Sequence, residues 1–116
     1  MSPDGVHIYV SNNSSTTAGC TYYSRNSSTG LLTSLGDINI GSTGAEVCIS
    51  SDGQHVYFAG GAALFQFSRS SSTGALTALS PASILGGVYG IEISPDGNSV
   101  YAADTASSII EQHSRG

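Results

Sequence analysis

The 116-residue chain contains no lysine and no tryptophan, and its fixed cations are limited to Arg25, Arg69 and Arg115. Its net charge is −5. It therefore lacks the clustered cations that a phosphate backbone or an anionic bilayer would engage, and neither nucleic acid nor a membrane is an expected partner. Charged residues make up only 9% of the chain, against 39% apolar residues with 6 Tyr and 3 Phe. Disordered chains show the opposite balance, so a folded domain is expected. No apolar run reaches the roughly 18 residues of a spanning helix, and no leader pattern follows Met1. Cysteine is equally scarce. Cys20 and Cys48 match no zinc-ligand spacing and are too few for a disulfide scaffold. They either pair with each other or remain small buried thiols.

What the chain has in place of charge is repetition. "SPDGVHIYVSNN" from Ser2 returns as "SSDGQHVYFAGG" from Ser50 and "SPDGNSVYAADT" from Ser94. Asp4 and Asp52 are 48 residues apart, and Asp52 and Asp96 are 44 apart. A second motif keeps the same period: "SRNSSTGLLTSL" from Ser24 and "SRSSSTGALTAL" from Ser68 place Gly30 and Gly74 44 residues apart. Ser-Pro-Asp-Gly suits a type I turn, with proline fixing φ, and Ser-Thr-Gly is a hairpin signal. Between these turns lie short runs rich in Val, Ile, Tyr and Phe, which is strand composition. No segment sustains a helical period.

The middle unit is the most complete, with strands expected over Ala45–Ser50, His55–Ala59, Ala62–Ser68 and Ala75–Leu79. Four antiparallel strands in about 45 residues is the size of a propeller blade. Val56 and Phe58 oppose Tyr57, so both faces of the strand are apolar. A sheet wetted on one side would alternate apolar with polar residues, whereas a blade sandwiched between neighbours would not. The expected fold is all-β: an incomplete β-propeller with a partial blade over 1–40, a complete blade over 41–84 and a partial blade over 85–116. The first blade lacks its inner strand and the last its outer one. Unpartnered terminal blades expose apolar surface, so the expected partners are missing blades of a longer chain or, as the second option, further copies of this one.

These motifs together resemble the YVTN-type repeats of lactonase-like β-propellers, over nearly the whole chain. That family includes 6-phosphogluconolactonases, muconate-lactonising enzymes and surface or secreted repeat proteins. The resemblance implies about seven blades in a full-length relative, and a secreted or cell-surface location over a cytoplasmic one. It also implies an Arg-His pair at the start of an inner strand in catalytic members. The matching positions here are Ala45-Glu46 and Tyr89-Gly90, and Asp104 alone loosely matches an acidic loop position.

The candidate site residues follow from position. The three arginines share one repeat position at the end of a strand, and are expected to pair an acid or carbonyl near a turn. Asp4, Asp52 and Asp96 are turn residues. His7 and His55 share a position on separate blades, as metal ligands rarely do, and His113 stands where Tyr23 and Phe67 stand. Glu46 and Glu92 lie on the inner strands of neighbouring blades, where a carboxylate needs water or a specific donor. Asn12, Asn13, Glu46, Tyr89 and Asp104 fall at one end of the propeller, a plausible ligand rim. No catalytic residue, metal or cofactor is expected in this segment. The expected role is a non-catalytic scaffold or binding surface, with a small molecule or glycan as ligand. The alternatives are a fragment of a sugar-lactone or muconate-type lactonase whose catalytic residues lie on other blades, and a carbohydrate-binding propeller.

Overall fold

A computed structural model of the chain describes residues 1–12, 19–39, 44–60, 63–84, 88–104 and 109–114. Its architecture starts from the turns. The amides of Gly5, Gly53 and Gly97 donate to the carbonyls of Ser2, Ser50 and Ser94 at 2.8–2.9 Å. Each glycine has a φ of 72–75°, which an L side chain rarely adopts. In every copy the aspartate Oδ1 accepts from the serine hydroxyl two residues earlier and from the amide two residues later. The serine hydroxyl, above all, holds the Asp4 carboxyl down to about 2 and keeps Asp96 below the usual carboxylate range.

Ten strands run between these turns: β1 (His7–Ser11), β2 (Gly19–Arg25), β3 (Leu32–Asn39), β4 (Gly44–Ile49), β5 (His55–Gly60), β6 (Ala63–Arg69), β7 (Leu76–Ile84), β8 (Val88–Ile93), β9 (Ser99–Asp104) and β10 (Ile109–Ser114). They form three antiparallel sheets in the orders β1-β2-β3, β4-β5-β6-β7 and β8-β9-β10. This is the blade pattern of an incomplete propeller. The strand over Ala75–Leu79 is longer than expected: β7 continues to Ile84 after a break in register, Phe67 facing Ala78 and Phe65 facing Ser83. Pro81 falls in the stretch between these pairings, where the ladder is interrupted and no N–H is required of it. Both inner strands carry the same bulge. Gly44 faces Gly60 and Glu46 faces Ala59, leaving Ala45 as the extra residue, and Val88/Asp104 followed by Gly90/Ala103 leaves Tyr89.

Two apolar cores lie between the sheets. The first joins Tyr9 and Cys20 to Val56, Phe58 and Phe67, with the Phe58 and Phe67 rings edge to face at 5.7 Å. The second joins Tyr57, Ala59 and Leu64 to Ile91, Val100 and Ala102. Alternation thus sends Val56 and Phe58 to one interface and Tyr57 to the other, which explains the apolar character of both faces. Cys20 and Cys48 are free thiols that pack against different cores.

The first interface is also locked by polar groups. Arg69, at the end of β6, donates from Nη1 to the Gly53 carbonyl of its own blade at 2.9 Å. From Nη2 it reaches the neighbouring blade, meeting Asp4 Oδ2 at 3.0 Å and His7 Nδ1 at 2.8 Å. The His7 ring lies against Gly74, so closely that a Cβ on Gly74 would fall 2.6 Å from the ring. Tyr9 donates its hydroxyl to the Gly74 carbonyl. Arg25 makes a weaker version of the first contact, to the Gly5 carbonyl at 3.4 Å. Arg115 and the side chain of His113 lie outside the described residues.

A guanidinium can only donate, so His7 Nδ1 must accept and stay unprotonated. Burial, reinforced by Arg69 and opposed by Asp4, lowers the affinity of His7 for a proton. The unfolded chain therefore takes up that proton first as pH falls below about 6.5, and stability declines through this window. Urea midpoints measured from neutral pH down to pH 5.5 should fall in the native chain, and His7→Asn should flatten the slope. Charged hydrogen bonds contribute about 1.5–3 kcal/mol each when buried. Arg69→Ala should therefore cost about 2–3 kcal/mol in the same assay, and Asp4→Asn, which keeps the turn acceptor but turns an amide donor toward Arg69 at a partly exposed site, a smaller loss of about 1 kcal/mol.

Candidate functional site

The candidate site is the inner edge of the second and third blades, together with the strand ends near it. An innermost strand has one row of unpaired backbone groups, and those groups need partners. Glu46 supplies one. Its Oε2 accepts from the amide of Ile91 at 2.9 Å, across the blade interface. Gly90, next to the donor, occupies the repeat position of Glu46 itself: both face the same alanine position of the second strand, Ala103 and Ala59. A Cβ on Gly90 would touch Glu46 Oε2 at 3.5 Å. The specific donor expected for this carboxylate is thus a backbone N–H.

Glu92 occupies the repeat position of Cys48, since they face Tyr101 and Tyr57 respectively. It is exposed, and its Oε1 accepts from the Ile93 amide at 3.2 Å. Glu46 and Glu92 line one shallow depression of about 300 Å³ together with Tyr101 and Ile110. Cys48 lies close enough to both carboxylates to feel their charge. Burial first, then Glu92 and Glu46, pushes its thiol up to about 12. Cys20 is raised to about 12 as well, chiefly by burial. Neither is a nucleophile at neutral pH.

Of the other candidates, Asn12 does not join this cluster. Asn12 sits at the other interface, where its carbonyl accepts from Gly44 at 2.8 Å and its side-chain amide donates to Thr21 Oγ1 at 3.4 Å. Thr21 in turn donates to Asp37 at 2.7 Å. Asn13 lies outside the described residues, as do the side chains of Tyr89 and Asp104, whose backbone ends β8 and β9 near the same rim. Among the described residues no three His, Cys, Asp or Glu side chains gather as a metal ion would require. Sequence reasoning left open which donor Glu46 would find, since no sequence signal points to the Ile91 amide across a blade interface.

No family model and no curated protein matches the chain. Solved structures do, at the level of fold. A candidate 6-phosphogluconolactonase from Bacteroides uniformis is 19% identical, with a TM-score of 0.80 over 100% of this chain and 35% of its own. A candidate 6-phosphogluconolactonase from Bacteroides fragilis is 20% identical, with a TM-score of 0.80 over 97% of this chain and 33% of its own. The periplasmic gluconolactonase of Pseudomonas aeruginosa is 18% identical, with a TM-score of 0.71 over 100% of this chain and 34% of its own. The chain thus spans about a third of the length of these proteins and shares their fold over that span.

Two measurements check the site. Removing the acceptor with Glu46→Ala should speed exchange of the Ile91 amide and cost about 1 kcal/mol, while Glu46→Gln keeps an acceptor and most of the protection. Thiol titration with an aromatic disulfide reagent should find no fast-reacting group in the native chain and both cysteines in urea. A silent denatured chain would reveal a disulfide.

Proposed function

We propose that the chain contributes blades to a propeller that hydrolyses a sugar lactone. The supporting observation is the match of the whole chain, at a TM-score of 0.80, to the fold of proteins described as 6-phosphogluconolactonases. Opening a lactone requires a base to activate water and donors that stabilise the developing oxyanion. Of the two carboxylates at the inner edge, Glu46 is engaged by the Ile91 amide. Glu92 is held only by the amide of the next residue, Ile93, at 3.2 Å, so it is the one left to accept a proton from water. The oxyanion donors belong, on this reading, to other blades. Because the described inner edge here offers carboxylates and no cation, the reading favours a neutral aldonolactone over a phosphorylated one.

A second reading, a scaffold or ligand-binding propeller without hydrolysis, rests on Ala45-Glu46 and Tyr89-Gly90 standing where an Arg-His pair would be expected. The decisive experiment is a pH-stat assay of gluconolactone and 6-phosphogluconolactone with this chain and with the protein encoded by its complete reading frame. The chain alone should not exceed the spontaneous rate. The complete protein should hydrolyse the neutral lactone, and Glu92→Gln should lower kcat/KM by about tenfold or more, with Glu46→Gln doing less. An inert complete protein that still binds sugars on a glycan array would establish the second reading.

A further inference from the structure

The chain contains one interface twice over in halves. Val56, Phe58, Phe67 and Leu76 of the second blade pack against the first blade. Their repeat counterparts in the first blade are Ile8, Val10, Tyr23 and Leu32. Val56 and Phe58 are fully buried, whereas Val10 and Leu32 are 44% and 48% exposed. The polar half of the interface is repeated too. Arg25 holds its own turn through Gly5 as Arg69 does through Gly53, but among the described residues no carboxylate meets it. Gly30 has the φ of 77° found at Gly74, yet nothing lies within 4 Å of where its Cβ would be.

The complementary half is on the far side of the third blade. Asp96 sits in the same turn as Asp4, with Oδ1 held by Ser94 and Asn98, so that Oδ2 is placed as the atom with which Asp4 meets Arg69. Tyr101 occupies the position of Tyr9 and is 38% exposed where Tyr9 is buried. Ile110 beside it is exposed. Ser99 replaces His7, so a hydroxyl stands where the first interface has a ring.

We propose that two copies of this chain join head to tail, the Asp96–Tyr101 face of each covering the Arg25–Gly30 face of the other. Arg25 then pairs with Asp96, and the Tyr101 hydroxyl donates to the Gly30 carbonyl, as Arg69 pairs with Asp4 and Tyr9 with Gly74. The turns and strands that carry these pairs are present in both terminal sheets, while counterparts of Ile38, Val47 and Ile49 are not, so the copied contact is smaller than the first interface. A contact between two different patches either closes into a ring or runs on as a filament. Three sheets per chain give six blades in a pair, within the roughly four to eight that propellers use, and the proposal takes the closed form. The inference concerns the chain on its own and does not rest on the lactonase reading. In a longer chain, flanking blades would occupy the same two faces.

Sedimentation velocity and light scattering across a wide concentration range should show a species of twice 11.7 kDa. Arg25→Asp and Asp96→Arg should each weaken it about tenfold or more, and the two changes combined in one chain should recover most of the loss. Val10→Arg should dissociate it without altering the circular dichroism spectrum, since that side chain is exposed in the single chain. A cooperatively folded monomer at every concentration overturns the proposal. So does an open polymer, or a dimer indifferent to the charge exchange.

Discussion

The arrangement of the blades hangs on one guanidinium. Arg69 is almost wholly buried, with a side chain 1% exposed, and burying a cation is costly unless its donors are used. Three acceptors answer that need: the carbonyl of its own turn, and the carboxylate and imidazole of the next blade. Its Nε remains without a protein acceptor among the described residues. Because the same side chain holds two turns at once, the tight geometry of each turn becomes the relative placement of two sheets. The apolar cores supply most of the driving force, but they are non-directional, and the lock selects how the sheets register.

The opposite end of each interface is fastened by backbone groups. Gly44 donates to the Asn12 carbonyl between the first and second blades, and Ile91 donates to Glu46 between the second and third. Both bonds use the start of an inner strand. The first interface is therefore pinned at the turn end by Arg69 and at the rim end by Gly44, and the second is pinned at the rim by Glu46. The turn end is constant because its residues are set by backbone conformation. The rim end varies because only an acceptor is required there, and a carbonyl or a carboxylate serves equally.

The repeat was legible in the sequence because its turns are chemically strict: a serine, an aspartate and a glycine at fixed offsets leave few conformations open. From them follow the strand count, the sidedness of Val56, Phe58 and Tyr57, and the placement of Arg25 and Arg69 beside a turn. Less was legible where the outcome depends on what faces what across an interface. His7 read as an unremarkable strand residue, yet it accepts from Arg69 and packs on a glycine 67 residues away. Glu46 and Glu92 both read as inner-strand acids in need of water or a donor, yet one is tied to the backbone of the next blade and the other only to the amide of the residue after it. The far end of β7 was missed because the pairing breaks and resumes, and strand composition does not encode such a break.

The extra residue in each inner strand has a consequence for how such a scaffold changes over time. Ala45 and Tyr89 stand outside the paired ladder, in the same place in two blades. A residue that pairs with nothing can be exchanged without shifting the register of its strand, and bulges are where strands re-aim side chains. The positions at which the resemblance leads one to expect an arginine are these two. A blade can therefore gain or shed a reactive group there while its core and its lock stay intact, which separates the inheritance of architecture from the inheritance of chemistry. Alanine in one blade and tyrosine in the next are what that independence looks like within a single chain.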